Sequence, residues 1–252
     1  MFAASENAPL GACIQQLNST LETIFSQVRQ LVDETRSLWA RVLEEGRQPT
    51  AKDLATLRPG IDRQLLATGA FGCGGGVILE PRCLADREMH LEWWYLADGG
   101  KTMPLRPNFD QRRENFYDYT AMPWFSRPRS TGSSCVEGPY VDLYGTNMYV
   151  LTFTMPIVVD GRFIGVAGLD LSLHNVERLL IRSLMRLEHE AVLIAVDGRV
   201  IASNSPNWMV GDLATKLLQS LPEQGERLAL AEPEAGWSLV RLPALRKVAW
   251  FA

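Results

Sequence analysis

Two aspartates and a group of aromatic rings carry most of the chemistry that this 252-residue sequence offers. Asp142 stands two residues after Tyr140, and Asp170 closes the small-residue run GVAGLD. Trp124 and Phe125 follow Pro123, with Tyr117 and Tyr119 just upstream and Met122 between them. The stretch HLEWWYLAD at 90–98 adds Trp93, Trp94 and Tyr95 beside Glu92. Carboxylates accept charge-assisted hydrogen bonds, and ring faces attract cations at about 0.5 to 2 kcal/mol each. Such a set therefore suits an organic cation held between acids and aromatic walls. Every member also has a purely structural alternative. Asp170 is a favoured type to cap a helix starting near Ser172, Asp142 could make a turn or pair with an arginine, and the rings could be core.

Other chemistries find less support. The three histidines, His90, His174 and His189, fall at element ends and build no nucleophile, base and orienter set, so no enzyme is expected. Four cysteines at 13, 73, 83 and 135 lack C-x-x-C or histidine-adjacent spacing, so no metal site, cofactor or disulfide framework is expected and the thiols should be reduced and buried. The glycines at 72 and 74–76 precede a strand rather than a helix. They make no nucleotide fingerprint, and read as a flexible approach to the sheet. A net charge of −4 without a basic face argues against nucleic acid. The short basic groups Arg106, Arg112, Arg113 and Arg127, Arg129 read as solvated loop charges. No secretory leader is recognisable, and the longest uncharged stretch, Leu143 to Val159, is shorter than the ~20 residues a spanning helix needs. A cytoplasmic location is the default expectation, with a periplasmic or extracellular one only for an excised receptor domain.

The positioning elements follow from periodicity. Ile14, Leu17, Leu21, Ile24, Val28, Leu31, Leu38 and Val42 repeat in fours and threes, which predicts a long amphipathic helix from Leu10 to Leu43, broad enough in its stripe to pair with a copy of itself. Short helices are expected over Lys52 to Leu57 and, after Pro59-Gly60, over Arg63 to Thr68. The period then changes to two. Strands are expected at Val77 to Glu80, Met89 to Ala97, Tyr140 to Leu143, Tyr149 to Val159 and Phe163 to Leu171, the last two joined by an Asp160-Gly161 turn. If 90–98 is a strand, Trp93 and Tyr95 share one face and Glu92 and Trp94 the other, and the first pair is favoured as facing the site. Lys101 to Glu137, with a short helix near Arg112 to Tyr119, is too long for an idle connection. A helix over His174 to Glu188 then leads to a smaller unit. Its strands are Ala191 to Val196, Arg199 to Ser203, Glu226 to Ala231 and Trp237 to Leu242, with a helix at Leu213 to Leu221.

An extended strand, an Asp-Gly hairpin, a small-residue strand ending in Gly-Leu-Asp-Leu and a preceding tryptophan-aromatic pair together resemble the first module of a double Cache sensor domain. The fold this implies is α/β (α+β): a long N-terminal helix followed by two PAS-like antiparallel-sheet modules. The divisions would be a helical spine at 1–70, the larger ligand-binding module at 71–173, and a connecting helix with the smaller module at 174–252. One branch of that family binds amino acids through Arg-x-Trp-Tyr, Tyr-x-Asp and a later Asp, the arginine taking the carboxylate. Here Trp124 and Phe125 match Trp-Tyr, Tyr140 and Asp142 match Tyr-x-Asp, Asp170 matches the last acid, and Met122 stands where the arginine would be. The resemblance therefore implies an ammonium ligand without an α-carboxylate. The alternative is an amino acid or carboxylate held by a relocated Arg127 or Arg129. A dimer through the N-terminal helix and a separate output protein are the implied partners.

Overall fold

The computed structural model describes residues 3–69, 72–97, 99–143, 148–215, 217, 219, 226–231 and 235–242. They divide into two compact units, Glu22–Val176, and Met1–Leu21 with Glu177–Ala252. Helix α1 (Ala3–Glu44) runs through both stretches and is longer than the apolar stripe alone required. Its buried positions Leu17, Leu21, Phe25, Val28, Leu31, Leu38 and Val42 recur every three, four or seven residues. The gap between Leu31 and Leu38 is filled by Thr35, fully buried, whose hydroxyl donates to the Leu31 carbonyl at 2.7 Å. That bond satisfies the only polar atom the stripe buries there.

In the larger unit, six strands form one antiparallel sheet. They are β1 (Gly72–Leu79), β2 (Leu91–Leu96), β3 (Thr102–Pro104), β4 (Cys135–Val141), β5 (Tyr149–Val159) and β6 (Arg162–Ser172), in the spatial order β3-β2-β1-β6-β5-β4. The β5–β6 hairpin turns at Asp160-Gly161, both at positive φ (49° and 76°), the geometry that favours this pair. One sheet face meets α1, where Phe25 packs edge-on against Phe153 at 5.5 Å between centroids, neither ring exposed. Phe25→Ala is expected to lower unfolding stability by about 3 to 5 kcal/mol in a urea titration, the usual effect of emptying a packed phenylalanine site.

Three expectations are corrected here. The glycine cluster is not a flexible approach: Gly72 to Gly76 are residues of β1, buried throughout between β2 and β6. Glycine carries no side chain, so the period-two signal vanished where the strand was most buried. Arg112 to Tyr119 is turn rather than helix, because Asn108, Asp110 and Asp118 accept hydrogen bonds from the backbone two residues on and compete with a helical ladder. The helix of this segment is α4 (Pro123–Thr131), opened by Pro123 in its first turn and closed by Gly132 at φ 70°. Likewise Pro59-Gly60 does not separate two helices. After α2 (Ala51–Leu54) and a 3-10 turn, α3 (Arg58–Ala67) begins at Arg58 with Pro59 in its first turn, where a missing N–H costs nothing.

The smaller unit holds a second antiparallel sheet, β7 (Ala191–Ile194), β8 (Val200–Ser203), β9 (Glu226–Ala229) and β10 (Ser238–Arg241), in the order β8-β7-β10-β9. It is reached through α5 (Leu173–Leu184). Of the expected helix at Leu213 to Leu221, residues 215, 217 and 219 are helical, and residues 216, 218, 220 and 221 lie outside those described. All four cysteines are free and buried.

Candidate functional site

Strand pairing places the chemistry on the sheet face opposite the one that meets Phe25. One cross-strand row reads Tyr95, Gly74, Asp170, Thr152, and the next reads Trp93, Gly76, Gly168, Thr154. Directly paired residues point to the same side, so Trp93, Tyr95, Asp170, Thr152 and Thr154 share a face. The flat glycine positions between them leave the floor low. Trp93 lies across this floor, with Nε1 and Cη2 near the points where Cβ atoms of Gly74 and Gly168 would stand, at 3.0 and 3.3 Å.

Asp170 lies deep in this face. It does not cap α5: it is a β6 residue whose Oδ1 accepts a 2.6 Å hydrogen bond from the Thr152 hydroxyl. With its proton committed to Asp170, Thr152 in turn accepts from the Tyr140 phenol at 2.7 Å. The three form a relay, Tyr140 to Thr152 to Asp170. Burial pushes the Asp170 carboxyl up to about 7, with Asp142 adding to the rise and the Thr152 hydrogen bond opposing it. Burial first, and then the field of Asp170, likewise push the Tyr140 phenol and the Cys73 thiol well above their ordinary ranges, so both stay neutral near pH 7.

Asp142 lies just past β4, half-buried, with its amide donating to the Met148 carbonyl at 3.0 Å. Its negative field reaches Asp170, Tyr140 and Cys73. Over the face sits the Lys101 to Glu137 segment. Tyr117, buried, is held by its amide bond to the Asn108 carbonyl at 2.8 Å. Trp124 is buried in the first turn of α4, and its carbonyl accepts the Thr154 hydroxyl at 2.8 Å, which ties that turn to the sheet. Phe125 points into a ring cluster with Tyr119 at 5.2 Å and Phe163 at 5.6 Å, fully buried, so it backs Trp124 rather than facing open space. Met122 precedes α4 with extended backbone and packs against the same cluster.

The other half of the aromatic run is occupied elsewhere. Trp94 donates from Nε1 to Glu92 at 2.6 Å and is covered by the Arg58 guanidinium. Glu92 and Trp94, with His90, Trp93, Arg106 and Phe109, border a cleft of about 440 Å³. Neither arginine considered as a carboxylate partner turns toward Asp170. Arg127 pairs with Glu137 at 3.2 Å and Arg129 with Glu80 at 2.5 Å, each about half exposed.

Two residues of this arrangement escaped the sequence reading, Thr152 and Thr154. Both sit at alternate positions of an otherwise apolar strand, and only the β5–β6 register shows that they face Asp170 and Gly168. Thr152→Val keeps the shape and removes the relay, leaving the Tyr140 phenol and Asp170 Oδ1 without it. A loss of about 1 to 3 kcal/mol is expected in chemical denaturation at neutral pH.

Residues 64–178 match the sequence model described as methyl-accepting chemotaxis protein-like, first PDC sensor domain. Among curated relatives, the methyl-accepting chemotaxis protein TlpQ of Pseudomonas aeruginosa is 39% identical over 57 residues, covering 22% of this chain and 8% of that protein. PctB of the same organism is 26% identical over 138 residues, 55% of this chain and 22% of that protein. The chain thus spans less than a quarter of the length of these relatives. Among solved structures, the sensory domain of the Campylobacter jejuni chemoreceptor Tlp3 (CcmL) superposes with a TM-score of 0.67 over 96% of this chain and 92% of its own, at 14% identity. The same receptor's ligand-binding domain in complex with L-valine gives 0.65 with the same identity and coverage. The chain therefore has the double-Cache fold of these sensory domains, and its residues 64–178 match the first PDC sensor domain of methyl-accepting chemotaxis protein-like receptors.

Proposed function

We propose that this chain is the ligand-sensing part of a chemoreceptor and that its larger module binds a small organic ammonium ligand. The observation that carries this reading is Asp170, a carboxylate deep in a ring-walled face, with one oxygen held by Thr152 and no cationic side chain beside it among the described residues. An ammonium group would supply the missing positive charge, and Trp93, Tyr95, Trp124, Tyr140 and Tyr117 would surround it with ring faces. Asp142 would add a second negative charge at the rim. Met122 supplies only soft apolar contact where the amino-acid-binding branch carries its arginine, and Arg127 and Arg129 are engaged by Glu137 and Glu80.

The second reading, a free amino acid, is favoured by one observation: the Tlp3 domain, with the same fold, has been crystallised with L-valine. The two readings separate cleanly in calorimetric titrations of L-valine against isobutylamine, which is valine without its carboxylate. Tighter binding of isobutylamine supports the ammonium site. Tighter binding of valine means that another group takes the carboxylate, and the amine reading falls.

No described helix is long and apolar enough to cross a membrane. Kinship with chemoreceptor sensory domains favours an extracytoplasmic place for this chain over the cytoplasmic default. Pairing through α1 and transmission to a separate signalling segment remain part of the same proposal. Sedimentation with and without ligand tests the pairing, and a purely monomeric state under both conditions would remove it.

A further inference from the structure

The cleft of about 440 Å³ opens where the β2–β3 pairing ends, and its volume lies within the range of small-molecule sites, about 300 to 1,000 Å³. The register pairs Trp94 with Pro104, Tyr95 with Met103 and Leu96 with Thr102, and the Leu105 amide still donates to the Trp93 carbonyl at 2.8 Å. One step further, the same register sets Arg106 opposite Glu92. Both residues line the cleft, yet no ion pair joins them. Glu92 is 12% exposed at its side chain and committed at one oxygen only: Oε1 accepts the Trp94 indole N–H at 2.6 Å, while the His90 Nε2 stands 3.8 Å from Oε2, too far for a hydrogen bond. Burial works against the Glu92 charge, but neighbouring donors and the Arg58 guanidinium outweigh it and hold the carboxyl below its ordinary range, so it is ionised at neutral pH. Arg58 is itself bound to Asp62 at 2.6 Å. Arg106 is exposed and has no acidic partner among the described residues. A guanidinium and an ionised carboxylate thus border one largely apolar cleft, walled by Trp94, Leu105, Pro107 and Phe109, without closing on each other.

We propose that Glu92 and Arg106 are the two halves of an open ion pair, and that the cleft they line is a second binding site, for a free amino acid with an apolar or aromatic side chain. The ligand's ammonium donates to Glu92 Oε2, its carboxylate takes the Arg106 guanidinium, and its side chain lies against the apolar walls. A zwitterion brings one charge of each sign, so neither residue is left unmatched. A molecule with only one of the two charges leaves the other residue without a partner, and a site built for both discriminates against it. This site is independent of the ammonium reading and shares no charged group with the Asp170 face.

The test is calorimetry on the intact chain carrying Asp170→Asn, which takes the charge out of the other site, with L-phenylalanine, 2-phenylethylamine and 3-phenylpropanoate as probes. Phenylalanine is expected to bind at least tenfold tighter than either compound that lacks one of its charges. Adding Arg106→Gln is expected to weaken phenylalanine at least tenfold and to leave 2-phenylethylamine within threefold, with the melting temperature of the ligand-free protein unchanged. In protein carrying ¹⁵N-labelled tryptophan, the indole N–H resonance that is absent in Trp94→Phe is expected to shift with phenylalanine, and to stay in place when Arg106→Gln is added. Failure of phenylalanine to bind the Asp170→Asn protein, equal affinities for the three probes, or an affinity that survives Arg106→Gln overturns the second site. Amino-acid binding that persists in Asp170→Asn belongs to the cleft, and binding that disappears belongs to the Asp170 face. The ammonium reading falls separately, if 2-phenylethylamine binds wild type and Asp170→Asn equally well.

Discussion

Asp170→Asn is expected to weaken an alkylammonium ligand by more than about a hundredfold and, in the empty protein, to raise stability at alkaline pH. The two effects have one cause. Removing one partner of a buried charge pair costs about 2 to 5 kcal/mol of binding, and about 2.7 kcal/mol is a hundredfold. In the empty site the same charge has no partner. Burial lifts the carboxyl from 3.8 to about 7 in the folded state, so between those values the folded chain holds a proton that the unfolded chain has released. Stability therefore falls as pH rises through that window, and the loss is complete above about pH 7, amounting to roughly 4 kcal/mol at 1.36 kcal/mol per pH unit. Asparagine keeps the shape and has no charge to bury.

Melting the empty wild type and Asp170→Asn from pH 4 to 9 checks this. The variant should match the wild type near pH 4 and exceed it above pH 7. Parallel curves over the whole range would show that Asp170 is ionised throughout and that its burial is less costly than the geometry indicates. Ligand affinity carries the opposite dependence. An ammonium group must find the carboxylate ionised, so wild-type affinity should rise about tenfold per pH unit up to about pH 7 and then level off. Asp142, Tyr140 and Cys73 lie within electrostatic reach of Asp170. Tyr140 and Cys73 stay neutral across this range because burial has moved them far upward, and they do not compete for the assignment.

How much of this was legible in the sequence depends on whether a residue announces itself through a side chain. The alternation Tyr149 to Val159 and the Asp160-Gly161 turn define a hairpin with no tertiary information, and the structure has β5 with those same bounds. The apolar stripe of α1 was equally plain, since each turn of the helix repeats it. Asp170 and Tyr140 were singled out by type and order, and the structure brings them together through a residue that was not, Thr152. A threonine in a strand is ordinary, and its role depends on pairing between residues 18 apart in sequence. Helix α4 could have been found from Pro123 and Gly132, the proline-first and glycine-after signature of a short helix, but the rings at Trp124 and Phe125 drew the reading toward a loop. Phe125 shows the limit of motif matching: the position corresponds to a ligand-facing aromatic in the related branch, yet here the ring is fully buried among Tyr119, Trp124 and Phe163.

The glycines of β1 were the least legible feature and carry a large expected effect on folding. Gly76→Ala should destabilise the larger unit by about 3 kcal/mol or more. Gly76 sits at φ +153°, a conformation side chains rarely adopt, and a Cβ built there would stand 2.1 Å from the Glu92 carbonyl oxygen and 2.8 Å from the Trp93 Cα. Those atoms are backbone of the neighbouring strand β2, so no rotamer change relieves the clash, and β1 would have to part from β2. Backbone strain of this kind costs about 1 to 3 kcal/mol by itself, and overpacking a filled interior adds about as much. Gly74→Ala is the control, because the atoms nearest its Cβ would be side-chain atoms of Trp93 and Asp170, at 3.0 and 3.2 Å, rather than backbone, and no positive φ is required. Urea denaturation followed by tryptophan fluorescence should therefore show a large drop in midpoint for Gly76→Ala and a small one for Gly74→Ala. Equal midpoints for the two variants would mean that β1 and β2 do not approach as closely as this register demands. In that case the floor on which Trp93 rests beside Asp170 would have to be drawn again.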